Sequence, residues 1–435
     1  MKGGSRVAGL RRLTGDVGLV TLGQLISYAY PVVSIPLLSR VLGIEGLGVF
    51  IITLAIIQIL LVWTDFGFGF AALRRISVAA SRQERQLVVS STITAKLALW
   101  GFGCLVLLVV VLAVPSMRER AGLYLIGMAL AVGAALYPMW YLQGTGRLRL
   151  FALLTAGSRL LALAGLILTV RSTDDLALAV FWQFLPFLLT AVVCWVVMTL
   201  QKDVALRLSR PAEAKAALVD SVPLFVNLIG GQVIVNSSAI LLGHLSGYRQ
   251  VGLYGPADRL SSAIHGVLVA VEQVLMPRIT ATHHGAGGAG HRRLIMAGLI
   301  GCYALAGAVL AASAPWVIPW YLGEGFDDAV PVVQLMGLAA MISGVTRTFT
   351  LNLLAQSRSR ICAIVTMFGA GWHLLSAGYG AWGWGAEGVA VAVCGTQLFM
   401  CVTLGIASSR GPRHPSAPTS SEPTVGREAV KETQS

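Results

Sequence analysis

The sequence predicts an all-α polytopic membrane protein with about twelve transmembrane helices, arranged as two six-helix bundles. Of its 435 residues, 56% are hydrophobic and only 12% are charged, whereas soluble domains average about 25% charged residues. Apolar runs of roughly 20 residues, each long enough to cross a bilayer as a helix, recur along the whole chain. A weak internal repeat divides these runs into two sets of six.

The apolar runs define the predicted spans in order. They lie at residues 16–39, 46–70, 87–113, 121–141, 150–170, 177–200, 221–244, 251–275, 294–318, 330–354, 361–381 and 386–407. The first run follows a basic N-terminus but is too long for the apolar core of a signal peptide. No small-residue cleavage site follows it, so we expect an uncleaved first span.

The same reading divides the chain into four regions. We expect an N-terminal six-helix bundle over residues 1–200, a cytoplasmic linker over 201–220, a C-terminal six-helix bundle over 221–407 and a tail over 408–435. The tail is rich in Pro, Ser, Thr and charge and cannot bury a core, so a disordered cytoplasmic segment is expected.

The basic residues predict the orientation of these spans. With both termini cytoplasmic, 23 of the 32 Lys and Arg residues fall on the cytoplasmic side, five fall outside and four lie within spans. Positively charged short loops remain on the cytoplasmic side during insertion, so this asymmetry supports that orientation. It also accounts for the net charge of +13 without a nucleic-acid partner.

Two short matches relate the first six spans to the last six. The tripeptide GVF at residues 48–50 matches GLY at 252–254, and RIS at 75–77 matches RIT at 278–280. The two offsets, 204 and 203, agree, and each match occupies the same place in its half. The agreement indicates two parallel repeats, an arrangement in which transporters often place the substrate pathway at the repeat interface.

Charged residues within spans are the first candidates for function, because each is costly in hydrocarbon unless it faces a partner or a wet cavity. Four basic residues lie within predicted spans: Lys96, Arg159, Arg259 and Arg347. Lys96 and Arg259 are near enough to a helix end to snorkel towards water, which leaves a second interpretation open for them. Arg159 and Arg347 lie deeper, which favours a cavity-facing position.

The eighth span carries a single polar stripe. At 100° per residue, Asp258, Ser262, His265 and Glu272 fall within about 40° of one line along the helix. Such a line of Asp258, His265 and Glu272 could bind or relay a proton and so couple transport to ions. A static hydrogen-bond network between helices explains the pattern equally well, so both interpretations stay open.

Four stretches in order along the chain resemble one known family. They are IPLLSRVLGIEGLGVF (35–50), DFGFGFAALRRIS (65–77), YPMWYLQGTGRLRLFALLTAGSRLL (137–161) and VGLYGPADRLSSAIHGVLVAVEQVLMPRIT (251–280). They are similar to the Wzx-type polysaccharide and O-antigen flippases of the multidrug/oligosaccharidyl-lipid/polysaccharide exporter superfamily. This resemblance implies a V-shaped pair of bundles in the bacterial inner membrane. It also implies transfer of undecaprenyl-diphosphate-linked oligosaccharides from the cytoplasmic to the outer leaflet for lipopolysaccharide, capsule or exopolysaccharide synthesis.

An anionic, sugar-bearing cargo matches the candidate residues. Guanidinium groups bind diphosphate oxygens in bidentate fashion, while hydroxyls, amides and aromatic rings suit sugars. The predicted diphosphate and glycan cavity is therefore lined by Arg159, Arg347, Arg259, Lys96, Gln24 and Tyr28. Besides the cargo, we expect contacts with membrane lipids and with polysaccharide polymerase or assembly proteins, and a monomer.

Asp65 has two interpretations. It can pair with Arg74 or Arg75 and fix the end of the second span. Alternatively, it can belong to a cytoplasmic gate in which Arg75 meets its repeat counterpart Arg278 around an incoming diphosphate.

Two other functions fit less well. A cation-coupled multidrug exporter needs a cavity dominated by acids and aromatics, and a glycan polymerase or ligase usually has a large outer loop with catalytic basic residues. The predicted outer loops are only about ten residues long, and no nucleophile or sugar-nucleotide motif occurs. The six cysteines and the histidines at 283–291 show no metal-binding spacing, so neither an enzyme nor a metal or other cofactor is expected.

Overall fold

The computed structural model describes the backbone of residues 3–284 and 288–409. It describes side chains from residue 23 onwards, except for Gln24, Tyr28, Asn227, Pro277 and residues 281–289. In this part of the chain no strand forms. The helices are α1 (Gly3–Asp65), α2 (Phe68–Val78), α3 (Arg82–Ala113), α4 (Pro115–Arg118), α5 (Ala121–Leu136), α6 (Met139–Gly144), α7 (Leu148–Thr169), α8 (Leu176–Leu200), α9 (Pro211–Leu245), α10 (Tyr248–His284), α11 (Gly288–Leu322), α12 (Ala329–Ala355) and α13 (Ser359–Ser409).

The predicted all-α membrane fold is confirmed. Nine helical stretches among the described residues are long and apolar enough to cross a bilayer. Each of the twelve predicted spans lies largely within a helix, but α10, which carries the polar stripe, is not among the nine. The number of twelve crossings therefore stays a prediction.

Two of the long helices contain a glycine break. Gly43 in α1 has φ +67°, and Gly385 in α13 has φ +59°, a backbone region that side chains disfavour. Ser27 and Gln58, on opposite sides of Gly43, line the same cavity, although they would be about 46 Å apart in a straight helix. The chain therefore reverses at Gly43, and α1 supplies both the first and the second predicted span.

The predicted linker at residues 201–220 contains the start of a helix. Helix α9 begins at Pro211, so the second half of this segment is helical, and its role as a linker stays a prediction. Proline suits the first turn of a helix, because its missing N–H has no partner there in any case. The extended part before it lies against α3, where the Gln86 side chain makes two 2.8 Å hydrogen bonds with the backbone of Ala205. The predicted disordered tail lies outside the described residues from residue 410 onwards.

Helix α1 occupies the centre of the molecule. It contacts α3, α5, α7 and α8, which precede the linker, and α9 and α10, which follow it. After the linker, α12 packs between α11 and α13, while α9 packs against α13. The grouping into bundles at 1–200 and 221–407 stays a prediction, and we refer to these regions as the N-terminal and C-terminal halves.

The repeated glycines lie where the two halves meet. A Cβ atom on Gly48 of α1 would collide with the Tyr248 carbonyl, and one on Gly252 of α10 would collide with the Ile44 carbonyl. Small residues allow such close backbone approach between membrane helices. The weak sequence repeat thus corresponds to a close contact between equivalent positions of α1 and α10.

Further contacts tie the halves together at this end of the molecule. Ser39 donates a hydrogen bond to the Leu322 carbonyl at 2.9 Å, and Arg40 donates one to the Trp320 carbonyl at 2.7 Å. The Arg120 guanidinium lies 4.7 Å from the Tyr248 ring centroid. We call this region, residues 39–48, 246–252 and 320–328, the closed end.

Candidate functional site

A cavity of about 420 Å³ opens within the N-terminal half. Three charged residues line it, Asp65, Lys96 and Arg159. The remaining polar and aromatic lining includes Ser27, Gln58, Tyr137, Trp140, Thr155, Ser158, Phe187 and Thr190. Cationic groups, hydroxyls and aromatic rings thereby line one cavity inside a membrane protein.

Arg159 is the cationic centre of this cavity. It projects from α7, and its guanidinium carbon lies 5.1 Å from the Tyr30 ring centroid and 5.6 Å from that of Phe187. None of the ion pairs between described side chains includes Arg159. Ring faces stabilise a guanidinium without neutralising it, so its charge stays available to an anion.

Lys96 and Asp65 form an ion pair across the same cavity. Their Nζ and Oδ1 atoms are 3.2 Å apart, with the Lys96 side chain 4% exposed and that of Asp65 45% exposed. The pair forms because α1 ends at Asp65, where Phe66 and Gly67 both adopt positive φ angles. Asp65 therefore pairs with neither Arg74 nor Arg75, and Lys96 is buried rather than snorkelling.

A smaller cavity of about 150 Å³ continues from the first cavity towards the place where the two halves meet. Arg159 lines both cavities, and Arg259 of α10 lines the smaller one together with Gln58 and Gln183. The structure therefore places Arg159 and Arg259, which come from different halves, on one cavity, and their role in holding a diphosphate stays a prediction.

Arg347 lies elsewhere, in the C-terminal half. Its Nε atom is 3.6 Å from Glu272 Oε1, and Tyr303 donates a 2.7 Å hydrogen bond to the same oxygen. The Glu272 side chain is 7% exposed and that of Arg347 is 40% exposed. Arg347 is not among the residues that line the two cavities containing Arg159, and its predicted place in the cargo cavity stays a prediction.

The rest of the α10 stripe divides into two parts. His265 Nε2 lies 2.8 Å from Ser343 Oγ of α12, and its Nδ1 lies 2.8 Å from the Ser261 carbonyl oxygen. His265 and Glu272 therefore face α11 and α12 in an interhelical network, one of the two interpretations of the stripe. Asp258 is half-buried and Ser262 is exposed, so the stripe does not face one surface along its length.

The predicted gate of Asp65, Arg75 and Arg278 stays a prediction. Arg75 lies 4.0 Å from Asp220 of α9, Asp65 faces Lys96, and Arg278 is exposed near the end of α10. The side chains of Gln24 and Tyr28, predicted to line the cavity, lie outside the described residues.

Several polar residues of the structure were not singled out from the sequence. Tyr30, Gln58 and Gln183 surround Arg159, and Gln58 had a detectable signal as an amide in the middle of an apolar run. In the C-terminal half, His373 is fully buried, with Ser238 Oγ 3.0 Å from Nε2 and Thr396 Oγ1 3.1 Å from Nδ1.

Comparison with solved structures shows which fold this is. The chain is similar to a lipid II flippase MurJ in an inward closed conformation, with a TM-score of 0.73 and 14% identity over 91% of this chain and 88% of that one. It is also similar to a multidrug resistance MATE family transporter of the MOP superfamily in an inward-facing conformation. That match has a TM-score of 0.66 and 13% identity over 91% of this chain and 97% of the other.

Comparison at the sequence level gives the family. The chain is 25% identical over 373 residues to a putative O-antigen transporter of Shigella dysenteriae, covering 82% of this chain and 91% of the relative. It is 22% identical over 335 residues to a putative O-antigen transporter of Escherichia coli strain K12, covering 75% and 80%. The model of the polysaccharide biosynthesis protein family matches residues 13–283, more than half of the sequence. This multi-pass membrane protein therefore belongs to the polysaccharide biosynthesis protein family.

Proposed function

We propose that this protein translocates a polyprenyl-diphosphate-linked oligosaccharide from the cytoplasmic to the outer leaflet of the bacterial inner membrane. The product would serve synthesis of a surface polysaccharide such as O-antigen. The observation that carries this proposal is Arg159, a cation without an acidic partner among the described side chains, in a cavity that also contains hydroxyl and amide groups. Family membership and two relatives named as putative O-antigen transporters support it.

The diphosphate is the part of the cargo that Arg159 suits. A guanidinium presents paired N–H donors that match two phosphate oxygens, and it keeps its charge at any physiological pH. Arg259 lines the adjoining cavity and adds a second cation from the other half. An anion bound between α7 and α10 would thus contact both halves, and its binding would affect the position of each.

The sugar part needs a different surface. Trp140 and Tyr137 offer aromatic rings in the same cavity, and Gln58, Thr155 and Ser158 offer amide and hydroxyl groups. Rings stack on the apolar faces of sugars, while amides and hydroxyls exchange hydrogen bonds with sugar hydroxyls. These groups lie next to Arg159, so the glycan would occupy the cavity while the lipid tail remains in the bilayer.

The Lys96–Asp65 pair would respond to the cargo. Asp65 is half-exposed to the cavity, whereas Lys96 is almost fully buried behind it. A diphosphate entering the cavity would compete with Asp65 for the ammonium group and repel the carboxylate. Binding would thereby loosen the end of α1, where α2 begins at the cytoplasmic surface of the predicted topology.

Alternating access would require the contacts between the halves to open and close in turn. In the predicted topology the closed end faces outwards, so export would require this end to open. Outward movement of negative charge is favoured by the membrane potential by about 2.3 kcal/mol per charge per 100 mV. A diphosphate with about two charges would therefore gain roughly 4–5 kcal/mol per 100 mV on export.

The C-terminal half contains the groups that could couple this cycle to protons. Glu272 and His265 form contacts with α11 and α12 that a proton on either group would alter, and Asp258 precedes them on the same helix. We propose that these contacts set the balance between the inward and outward states, because a bound proton favours whichever state holds it better. Docking of polymerase or assembly proteins, a monomeric state and cytoplasmic termini complete the proposal.

The test is export in the host, with the chromosomal gene deleted and variants supplied from a plasmid. Loss of the gene should remove the surface polysaccharide and leave lipid-linked oligosaccharide in the inner membrane. Arg159→Ala should fail to restore export, and Arg159→Lys should restore it only in part, because bidentate geometry is lost. Arg118→Ala, in an exposed arginine of α4, is the matched control and should export normally.

Two results would contradict the proposal. Full export by Arg159→Ala would remove the anion-binding role of the cavity. A deletion strain with normal surface polysaccharide but increased sensitivity to cationic drugs would favour the multidrug exporter instead.

A further inference from the structure

A groove on α13 lies far from the cavity of the N-terminal half. It has a volume of about 530 Å³ and flanks the Gly385 turn. The end of the groove next to Gly385, which we call its upper part, is lined by Tyr379, Trp384 and Glu387. None of the ion pairs between described side chains includes Glu387. An acid therefore stands beside aromatic rings on the outside of the helix bundle.

The rings of the upper part form an open cluster. The centroids of Tyr379 and Trp384 are 5.6 Å apart with planes at 75°, and those of Tyr379 and Trp382 are 6.4 Å apart. All three side chains are more than 60% exposed, so their faces are available to a ligand. Aromatic faces next to a carboxylate are the arrangement that recognises an ammonium ion.

The lower part of the groove is apolar and long. From Tyr379 it runs along α13 to Trp372, which stacks on Phe399 with centroids 5.8 Å apart, and on the other side of the turn it runs from Glu387 to Gly395. Seven or eight helical residues correspond to about 10–12 Å. A headgroup alone would not fill this length, whereas an acyl chain running along the helix would.

The depth of the upper part also suits a lipid headgroup. Exposed Trp and Tyr residues concentrate at the boundary between headgroups and hydrocarbon. A chain reversal such as that at Gly385 belongs at this boundary too, because unpaired backbone groups are not tolerated in hydrocarbon. Glu387, two residues after the turn, is therefore at the level of phospholipid headgroups.

We propose that this groove binds a phospholipid with a primary ammonium headgroup. The ammonium group donates hydrogen bonds to Glu387 and lies against the rings of Tyr379 and Trp384, while one acyl chain follows the groove towards Trp372. An anionic headgroup is disfavoured by the same carboxylate. The site does not rest on the proposed transport function, since it uses none of the residues that line the cavity.

The probe is phosphatidylethanolamine, compared with phosphatidylglycerol and phosphatidylcholine of identical acyl chains, added to the purified full-length protein in detergent. Native mass spectrometry measures the bound fraction of each. We expect phosphatidylethanolamine to bind about tenfold more tightly than phosphatidylglycerol, which an ion pair and a ring contact together supply. Phosphatidylcholine should bind less well than phosphatidylethanolamine, because its methylated nitrogen donates no hydrogen bond to Glu387.

Two variants and one control complete the test. Glu387→Gln should abolish the preference for phosphatidylethanolamine over phosphatidylglycerol, and Trp384→Leu should weaken phosphatidylethanolamine binding by about fivefold. Trp316→Leu removes another largely exposed tryptophan, on α11, and should change neither value. Size-exclusion profiles check that each variant is folded. Equal binding of phosphatidylethanolamine and phosphatidylglycerol to the native protein would overturn the site, and so would an unchanged preference in Glu387→Gln or unchanged phosphatidylethanolamine binding in Trp384→Leu.

Discussion

The two halves of the molecule use charged residues in different ways. In the N-terminal half, Arg159, Lys96 and Asp65 line a cavity, and Arg159 has no acid partner among the described side chains. In the C-terminal half, Glu272 and Arg347 contact each other between helices. Both sets lie in predicted spans, where charge is expensive. The first set lines the cavity of about 420 Å³, whereas Glu272 and Arg347 are paired with each other.

This difference shows that a charged residue within a membrane span can be interpreted as functional only once its contacts in the structure are known. Glu272 accepts a hydrogen bond from Tyr303 and lies beside Arg347, so much of its cost is offset within the protein. Among the described side chains, Arg159 lies against two aromatic rings and is in none of the ion pairs. The charged residues of the two halves therefore differ in whether the structure pairs them with an acid.

The largest expected effect concerns the contact that joins the halves. Gly48→Ala places a Cβ atom against the backbone carbonyl of Tyr248, which no side-chain rotation can relieve. Overpacking of this kind costs about 1–3 kcal/mol. A cost of this size shifts the equilibrium away from the conformation in which the closed end is packed by roughly five- to 150-fold. We expect export of the surface polysaccharide to fall by a similar factor.

Gly101→Ala is the matched control for this variant. No atom lies within 4 Å of a Cβ atom placed on Gly101, and both changes favour the helix equally by intrinsic propensity. Gly101→Ala should therefore export normally. Normal export by Gly48→Ala would show that the closed end plays no part in the cycle.

The next prediction compares how one charged residue from each half contributes to the stability of the protein. Glu272→Ala removes the acceptor shared by Tyr303 and Arg347 and should lower the free energy of unfolding by about 1–3 kcal/mol, since a buried donor loses its partner. Arg159→Ala removes no ion pair between described side chains and should leave stability nearly unchanged. Thermal unfolding in detergent measures both, and equal losses in the two variants would mean that Arg159 is also a structural residue.

A smaller effect tests the pair that borders the cavity. Asp65→Asn should strengthen binding of a polyprenyl diphosphate by up to about fivefold, because it removes a carboxylate that competes with the diphosphate for Lys96. An ion pair with a half-exposed carboxylate contributes about 0.2–1 kcal/mol, which sets the size of this gain. Lys96→Met should weaken the same binding, because it removes a cation. The two variants are of similar size to the native residues and are measured in the same titration. Weaker binding in both would mean that the ion pair acts as one structural unit.

The sequence predicted the helices and the charged candidates better than their partners. Apolar length and the cost of charge in hydrocarbon identified Arg159, Lys96 and Glu272 without any structure. The Lys96–Asp65 pair could not be predicted, since it depends on α1 ending at Asp65 and on the face that α3 turns towards it.

The partner of Arg347 shows the same limit. Both Arg347 and Glu272 stood out in the sequence, but they are 75 residues apart and on different helices. Periodicity within α10 cannot tell whether its polar side faces a neighbouring helix or a cavity. Likewise, the start of α9 at Pro211 depends on polar residues that pack against α3 and carry no apolar signal.

The most direct test of the central claim is equilibrium binding of a short polyprenyl diphosphate, farnesyl diphosphate, to the purified protein. If the cavity of the N-terminal half holds the diphosphate, Arg159→Ala should weaken binding by at least about tenfold, the loss of one charge-assisted bidentate contact. Arg347→Ala, which removes an arginine paired with Glu272 outside that cavity, should change binding by less than about twofold. Native affinity in Arg159→Ala, with binding lost in Arg347→Ala, would place the anion site in the other half and contradict the account.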